Sequence, residues 1–260
     1  MIAVIVMLAL LLIGGSIFAY YVAIIQPAQL HAQATADAQT FLTAQARGTA
    51  QAQTRATAQA QATATATTPE VLYAQATSGT PVINDALSDK NNSSWNEAGK
   101  QGDGCTFTGG SYHIGATQPG LISCLAGQNS VSDFAFQVQM SIVKGDGGGI
   151  DFRISNVTSS NIDAYFLNVS STGGYALLVS QNGSSKLLMR STSSALKQGL
   201  NQPNLLTVIA RGDSMYLYMN KQFVTSIKDT TYGSGRIGLF VSDLQQPSEV
   251  ALSNAELWAL

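Results

Sequence analysis

The sequence is poor in charge. Lys, Arg, Asp and Glu together make up 11 % of its 260 residues, 13 basic against 15 acidic, for a formal net charge of −2; soluble domains typically carry about 25 %. The few charges are scattered, with no basic block, which argues against nucleic acid as a partner. Glutamate is confined to Glu70, Glu97, Glu249 and Glu256, and histidine to His31 and His113. One histidine outside the low-complexity region is a poor basis for a zinc site. No heptad seam of apolar residues is present, so nothing in the pattern specifies a coiled coil or an oligomer.

Cysteine is limited to Cys105 and Cys124, on neighbouring strand candidates. They are either buried thiols, the default in a reducing compartment, or a disulfide in an oxidising one. The apolar N-terminus and the Lys-poor remainder favour the oxidising exterior. A Cys105–Cys124 bridge would close a loop of about 20 residues and stabilise by roughly 3 kcal/mol in the chain-entropy account.

What the sequence does contain falls into three parts: 1–25, 26–78 and 79–260. Ile2–Ile25 is one apolar run without a charged side chain, and about 20 such residues span a hydrocarbon core. Tyr20 and Tyr21 sit near its outer end, as interfacial aromatics do. A cleaved signal peptide is the rival reading, but the run is long for one and lacks a charged leader. The expectation is a transmembrane helix, a single-pass protein of the cell membrane, and a C-terminal domain outside the cytoplasm. Because the run begins at the first residues, a cytoplasmic part upstream stays open. Residues 28–68 repeat Ala-Gln and Ala-Thr units. Such a tract builds no core and reads as a stalk, either helical, since Ala and Gln favour helix, or a flexible spacer. Glu70–Thr77 suits two helical turns, and Ser78-Gly79-Thr80-Pro81 is a turn and boundary.

From Val82 onward short apolar runs alternate with Gly, Asn, Ser and Asp clusters. In Phe134–Ile142, Phe134, Phe136, Val138, Met140 and Ile142 share one face and Gln137, Gln139 and Ser141 the other, the period of a half-buried strand. Similar runs recur to Glu249–Trp258. Asn182-Gly183 suits a type I′ hairpin. A series of short strands without helical periodicity predicts an all-β, antiparallel jelly-roll sandwich.

Several segments carry a family resemblance: GDGGGIDFR (Gly145–Arg153), AYFLNV (Ala164–Val169), GGYALLV (Gly173–Val179), the long hairpin Asn204–Asp229, GSGRIGLF (Gly233–Phe240) and EVALSNAELW (Glu249–Trp258). Together they resemble the concanavalin A-like lectin/glucanase sandwiches, and within these the 3-keto-disaccharide hydrolase-like, laminin-G-like branch. The layout of anchor, stalk and module is similar to that of bacterial surface proteins. The resemblance implies a sandwich over 79–260 that meets carbohydrate. Its match to the family's catalytic residues is incomplete, which leans against an enzyme. The Glu-x-Asp-x-x-Glu pattern of the family's glucanases, which supplies two carboxylates about 5 Å apart, is absent, and Tyr165 is followed by Phe166 where the hydrolase branch has a Tyr-Glu pair.

The expected function is therefore a non-catalytic module that recognises a glycan or cell-wall polymer, with a 3-keto-disaccharide-type hydrolase and a purely structural or adhesive head as alternatives. Strand alternation puts Asp151 and Arg153 together on the face opposite Ile150, Phe152 and Ile154; they are candidate ligand contacts, or else an ion pair on a solvated face. Tyr165, Tyr216 and Tyr218 are candidate stacking planes for sugar rings, or packing residues with a wet hydroxyl. No cofactor is expected. The oxygen-rich positions Asp85, Asp89, Asn91, Asn92 and Asp103, with Asp146 and Gly147, would suit calcium in type, yet lack EF-hand spacing and read better as solvated turn residues.

Overall fold

The structure is a computed structural model that describes residues 21, 23, 35, 39–40, 42–55, 68–100, 102–127, 130–158, 161–243 and 246–260. The chain divides into two compact units, 1–66 and 67–260.

Of the first unit, residues 42–55 are helical and exposed. Their threonines fit a helix by bonding backward: the hydroxyls of Thr43, Thr49 and Thr54 donate to the carbonyls of Gln39, Gln45 and Ala50 at 2.7, 2.9 and 2.9 Å.

The expected membrane helix requires correction. Among the described residues no helix is long and apolar enough to cross a membrane. The run on which the expectation rested lies, apart from Tyr21 and Ala23, outside the described residues. The described helical residues 42–55 include Gln, Thr and Arg, polar and charged side chains that a hydrocarbon core disfavours. The fold is thus an all-β sandwich with no transmembrane helix established before it. Single-pass topology, the membrane as partner and a cell-membrane location lose their basis with it.

The second unit opens with the short helix Pro69–Ala76. Its start is encoded locally: the Thr68 side chain caps it by accepting from the Val71 N–H, Pro69 occupies the first turn, and Glu70 faces the positive helix end. Ala76 is fully buried, and Leu72 and Tyr73 pack with it against Ile209, Tyr218 and Trp258.

Strands then run in chain order as β1 (Ile83–Asp85), β2 (Ala98–Lys100), β3 (Asp103–Thr108), β4 (Ser111–Ala116), β5 (Gly120–Leu125), β6 (Phe134–Lys144), β7 (Gly147–Val157), β8 (Ile162–Ser170), β9 (Gly174–Gln181), β10 (Ser184–Thr192), β11 (Asn204–Arg211), β12 (Ser214–Met219), β13 (Gln222–Lys228), β14 (Arg236–Asp243) and β15 (Ser248–Ala259). They form two antiparallel sheets. The nine-stranded sheet has the order β13-β12-β11-β6-β15-β4-β3-β2, with β1 on β15; the six-stranded sheet has the order β10-β9-β8-β7-β14-β5.

The core lies between the sheets. Phe134, Phe136, Val138, Met140 and Ile142 of β6 face Ile150 and Phe152 of β7 and Leu239 and Val241 of β14, as period-2 alternation predicts for β6. Gln137 points the other way, where its amide oxygen accepts from the Tyr73 hydroxyl at 2.9 Å. Cys105 on β3 and Cys124 on β5 form a disulfide that ties one sheet to the other. Asn182 and Gly183 have φ of 51° and 78°, the left-handed pair a type I′ hairpin requires.

Candidate functional site

The outer face of the six-stranded sheet carries a groove of about 750 Å³. Strand register shows how the sequence builds it. Directly paired residues share a face, so one cross-strand row reads Arg190, Ala176, Asn168, Gly149, Phe240, Ser123 from β10 to β5. The next row reads Leu187, Leu178, Phe166, Asp151, Gly238, Leu125. Bulk is missing in the first row at Ala176, which lines the trough. Gly149 admits no side chain, because a Cβ there would collide with the Leu167 carbonyl of the neighbouring strand.

The floor is apolar. Phe166 and Phe240 meet edge to face at 5.3 Å and are 6 % and 1 % exposed. Polar groups enter from Ser123, Asn161, Asn168, Ser180, Ser185 and Ser242. The lining has no exposed aromatic plane and no carboxylate; its one charged side chain is Arg190.

Asp151 lies beneath this floor. It is fully buried, its Oδ2 accepts from the Ser123 hydroxyl, and its Oδ1 has no hydrogen-bond partner. A Cβ on Gly238 would strike its carboxylate, so glycine there leaves the room it occupies. Desolvation pushes its carboxyl up to about 7, against a smaller lowering by the Ser123 hydrogen bond.

Arg153 does not join Asp151 on that face. Its φ is +51°, and the register slips around it on both sides, between Phe152 and Asn156 and between Arg236 and Ile237. This bulge resets the alternation: Ile154, expected beside Ile150 and Phe152, packs instead with Ala164, Phe166 and Phe240. The Arg153 side chain is fully buried. Its guanidinium donates to the carbonyls of Tyr232, Ser132 and Gly212 at 3.0, 3.0 and 2.8 Å, tying three connecting loops together.

The tyrosines are likewise occupied. Tyr165 is fully buried, stacks on Phe152 at 5.3 Å, donates to Asp229 Oδ1 at 2.6 Å and accepts from the Tyr232 N–H at 3.2 Å. Tyr218 lies fully buried against the helix Pro69–Ala76, its hydroxyl donating to the Pro69 carbonyl at 2.7 Å. Tyr216, half-buried, borders the same cluster on the nine-stranded sheet. The structure therefore puts Asp151 under the groove and gathers neither Arg153 nor the three tyrosines around it.

The oxygen-rich turns serve their own backbone. Asp85 accepts from the Leu87 N–H and the Ser93 hydroxyl at 2.8 and 2.7 Å, and Asp103 accepts from the Thr117 N–H at 3.3 Å. Among the described residues no group of three or more His, Cys, Asp or Glu side chains is placed to hold a metal ion, and no catalytic carboxylate pair is present. His113 sits on the other sheet with Nδ1 at 2.8 Å from Glu249 Oε1 and Nε2 at 3.0 Å from Ser111 Oγ. The groove residues missed in sequence are Ser123, Asn168 and Arg190. Arg190 had no readable face: β10 is an edge strand, largely exposed, with a register shift between Leu187 and Met189.

No family model matches the sequence, and no curated protein matches it. Solved structures match it in fold. A carbohydrate-binding module, CBM66, from Bacillus subtilis superposes with a TM-score of 0.53 at 20 % identity, over 64 % of this chain and 96 % of the module. A Bacillus subtilis protein of unknown function with a galectin-like fold gives 0.54 at 16 % identity, over 69 % and 96 %. A β-glucanase from Bacillus licheniformis gives 0.51 at 10 % identity, over 70 % and 100 %. At these identities the likeness is one of fold: the chain carries a concanavalin A-like jelly-roll sandwich.

Proposed function

We propose that the sandwich is a carbohydrate-binding module whose ligand lies in the groove on the six-stranded sheet and is held there without being cleaved. The observation that carries this reading is the groove itself: an open trough in which amides and hydroxyls from five strands stand over an apolar floor. That combination suits a sugar chain, whose hydroxyls need partners while its C–H faces need apolar contact. The fold is shared with a carbohydrate-binding module, which supports the reading by analogy only. The groove lining offers no pair of carboxylates for glycosidic chemistry. In this reading Asp151 contributes indirectly, by fixing the Ser123 hydroxyl at the groove's edge, while Arg153 and Tyr165 hold the loops and strands that frame it.

A glycan array probed with the full chain tests the reading. Binding is expected, and Ala176→Trp, which fills the trough, should abolish it with the melting temperature little changed. Asn168→Ala should weaken it about tenfold, the usual cost of one lost polar contact of about 1.4 kcal/mol. Array binding untouched by both substitutions would place the ligand elsewhere.

A further inference from the structure

We infer that the groove selects an anionic glycan, one whose oxyanion is received by Arg190. This deepens the carbohydrate-binding reading and rests on it. Arg190 stands at the β10 end of the row that forms the trough, next to Ala176 and two strands from Asn168. Two strand spacings are about 10 Å, within the span that an arginine side chain and an amide can bracket around one sugar unit.

Three observations make Arg190 a receptor and not a structural residue. It is exposed. Among the described residues no carboxylate forms an ion pair with it. No Asp or Glu lines the groove to offset it, although acidic residues outnumber basic ones in the chain as a whole. Its guanidinium is a rigid fork of donors that matches the two oxygens of a carboxylate or phosphodiester, whereas the hydroxyls of a neutral sugar leave its charge unanswered. The rest of the lining points away from a flat neutral glucan. It has no exposed aromatic plane for stacking, and its exposed apolar groups are the aliphatic Leu121 and Val157.

The shared chemistry, a sugar polymer bearing oxyanions, has two sources, a uronate carboxylate and a phosphodiester. Titration calorimetry with the full chain separates them, using oligogalacturonate, the same oligomer fully methyl-esterified, and a phosphodiester-linked oligomannoside. The esterified form keeps the shape and removes the charge. The expected result is binding of at least one anionic probe about tenfold or more tighter than the ester, the effect of one charge-assisted pair. Arg190→Gln should bring acid and ester within about twofold of each other, and Arg190→Lys should keep part of the preference. Added salt should narrow the gap, since Arg190 is exposed. Tight binding of the phosphodiester-linked oligomannoside alone, lost in Arg190→Gln, places the oxyanion on phosphorus and supports the inference equally. Equal affinity for acid and ester, or a preference that survives Arg190→Gln, overturns it. An array hit that is neutral and blocked by Ala176→Trp overturns the anionic inference and leaves the carbohydrate-binding reading standing; no glycan binding at all overturns both.

Discussion

Asp151 is an acid enclosed where it cannot easily ionise, and that has a consequence for stability. Its carboxyl is pushed up to about 7 by desolvation, while in the unfolded chain it titrates near 3.9. Below about pH 4 both states are protonated and the group costs nothing. Between about 4 and 7 the unfolded chain releases a proton that the folded chain keeps, so stability falls as pH rises; above about 7 both are ionised and the loss is complete. Three pH units correspond to about 4 kcal/mol at most. Asp151→Asn should therefore be nearly neutral at pH 4 and stabilising at pH 8, by a few kcal/mol in urea unfolding. An equal effect at both pH values would show that burial does not govern this carboxyl.

The neighbouring Arg153 shows where reading residue by residue stops. The alternation of Ile150, Asp151 and Phe152 was legible and correct. What was not legible was the bulge. Nothing in the side chain of Arg153 announces a left-handed φ, which in non-glycine residues falls mostly on Asn and Asp; the cause is three loop carbonyls that converge on its guanidinium from distant parts of the chain. Arg153→Met keeps much of the volume and removes the donors. It should lower stability by about 3 kcal/mol or more, since carbonyls that lose a charged donor are left unpaired. A melting temperature equal to that of the wild type would mean that solvent replaces those bonds without cost.

At the scale of elements, local signals were sufficient for most strands and for the helix Pro69–Ala76. Period-2 runs from β6 to β15, the Asn182-Gly183 turn and the Thr68-Pro69-Glu70 helix start each encode their own geometry. What local signals could not assign was partnership: which faces pair across strands, and hence that Arg190, Asn168 and Ser123 share a row. The helix is likewise held by distant residues, through Tyr73 packing at a tilt against Tyr218, ring centres 5.1 Å apart, and the hydrogen bond to Gln137. The disulfide joins elements of different sheets across a sequence separation of 19 residues. Replacing both cysteines by serine should cost about 3 kcal/mol, the loop-closure value for that length, measured as a shift in denaturation midpoint between wild type and Cys105→Ser/Cys124→Ser. A shift below about 1 kcal/mol would show that the core alone sets the sheet spacing.

For the molecule as a whole, the two sheet faces are not equivalent. The outer face of the nine-stranded sheet is partly covered by the helix Pro69–Ala76, over Tyr218 and Trp258; the outer face of the six-stranded sheet is left open as the groove. Composition and period were enough for the sandwich, but the open face depends on a small residue at Ala176 whose importance lies only in what stands beside it. The most direct test of the carbohydrate-binding account is amide NMR of the full chain titrated with the best ligand from the glycan array. The account predicts perturbations confined to the groove rows, at Ser123, Asn168, Ala176, Arg190 and Phe240, with Tyr216 and Phe223 on the opposite sheet unmoved. Perturbations centred on Tyr216 and Phe223, with the groove rows silent, would contradict it.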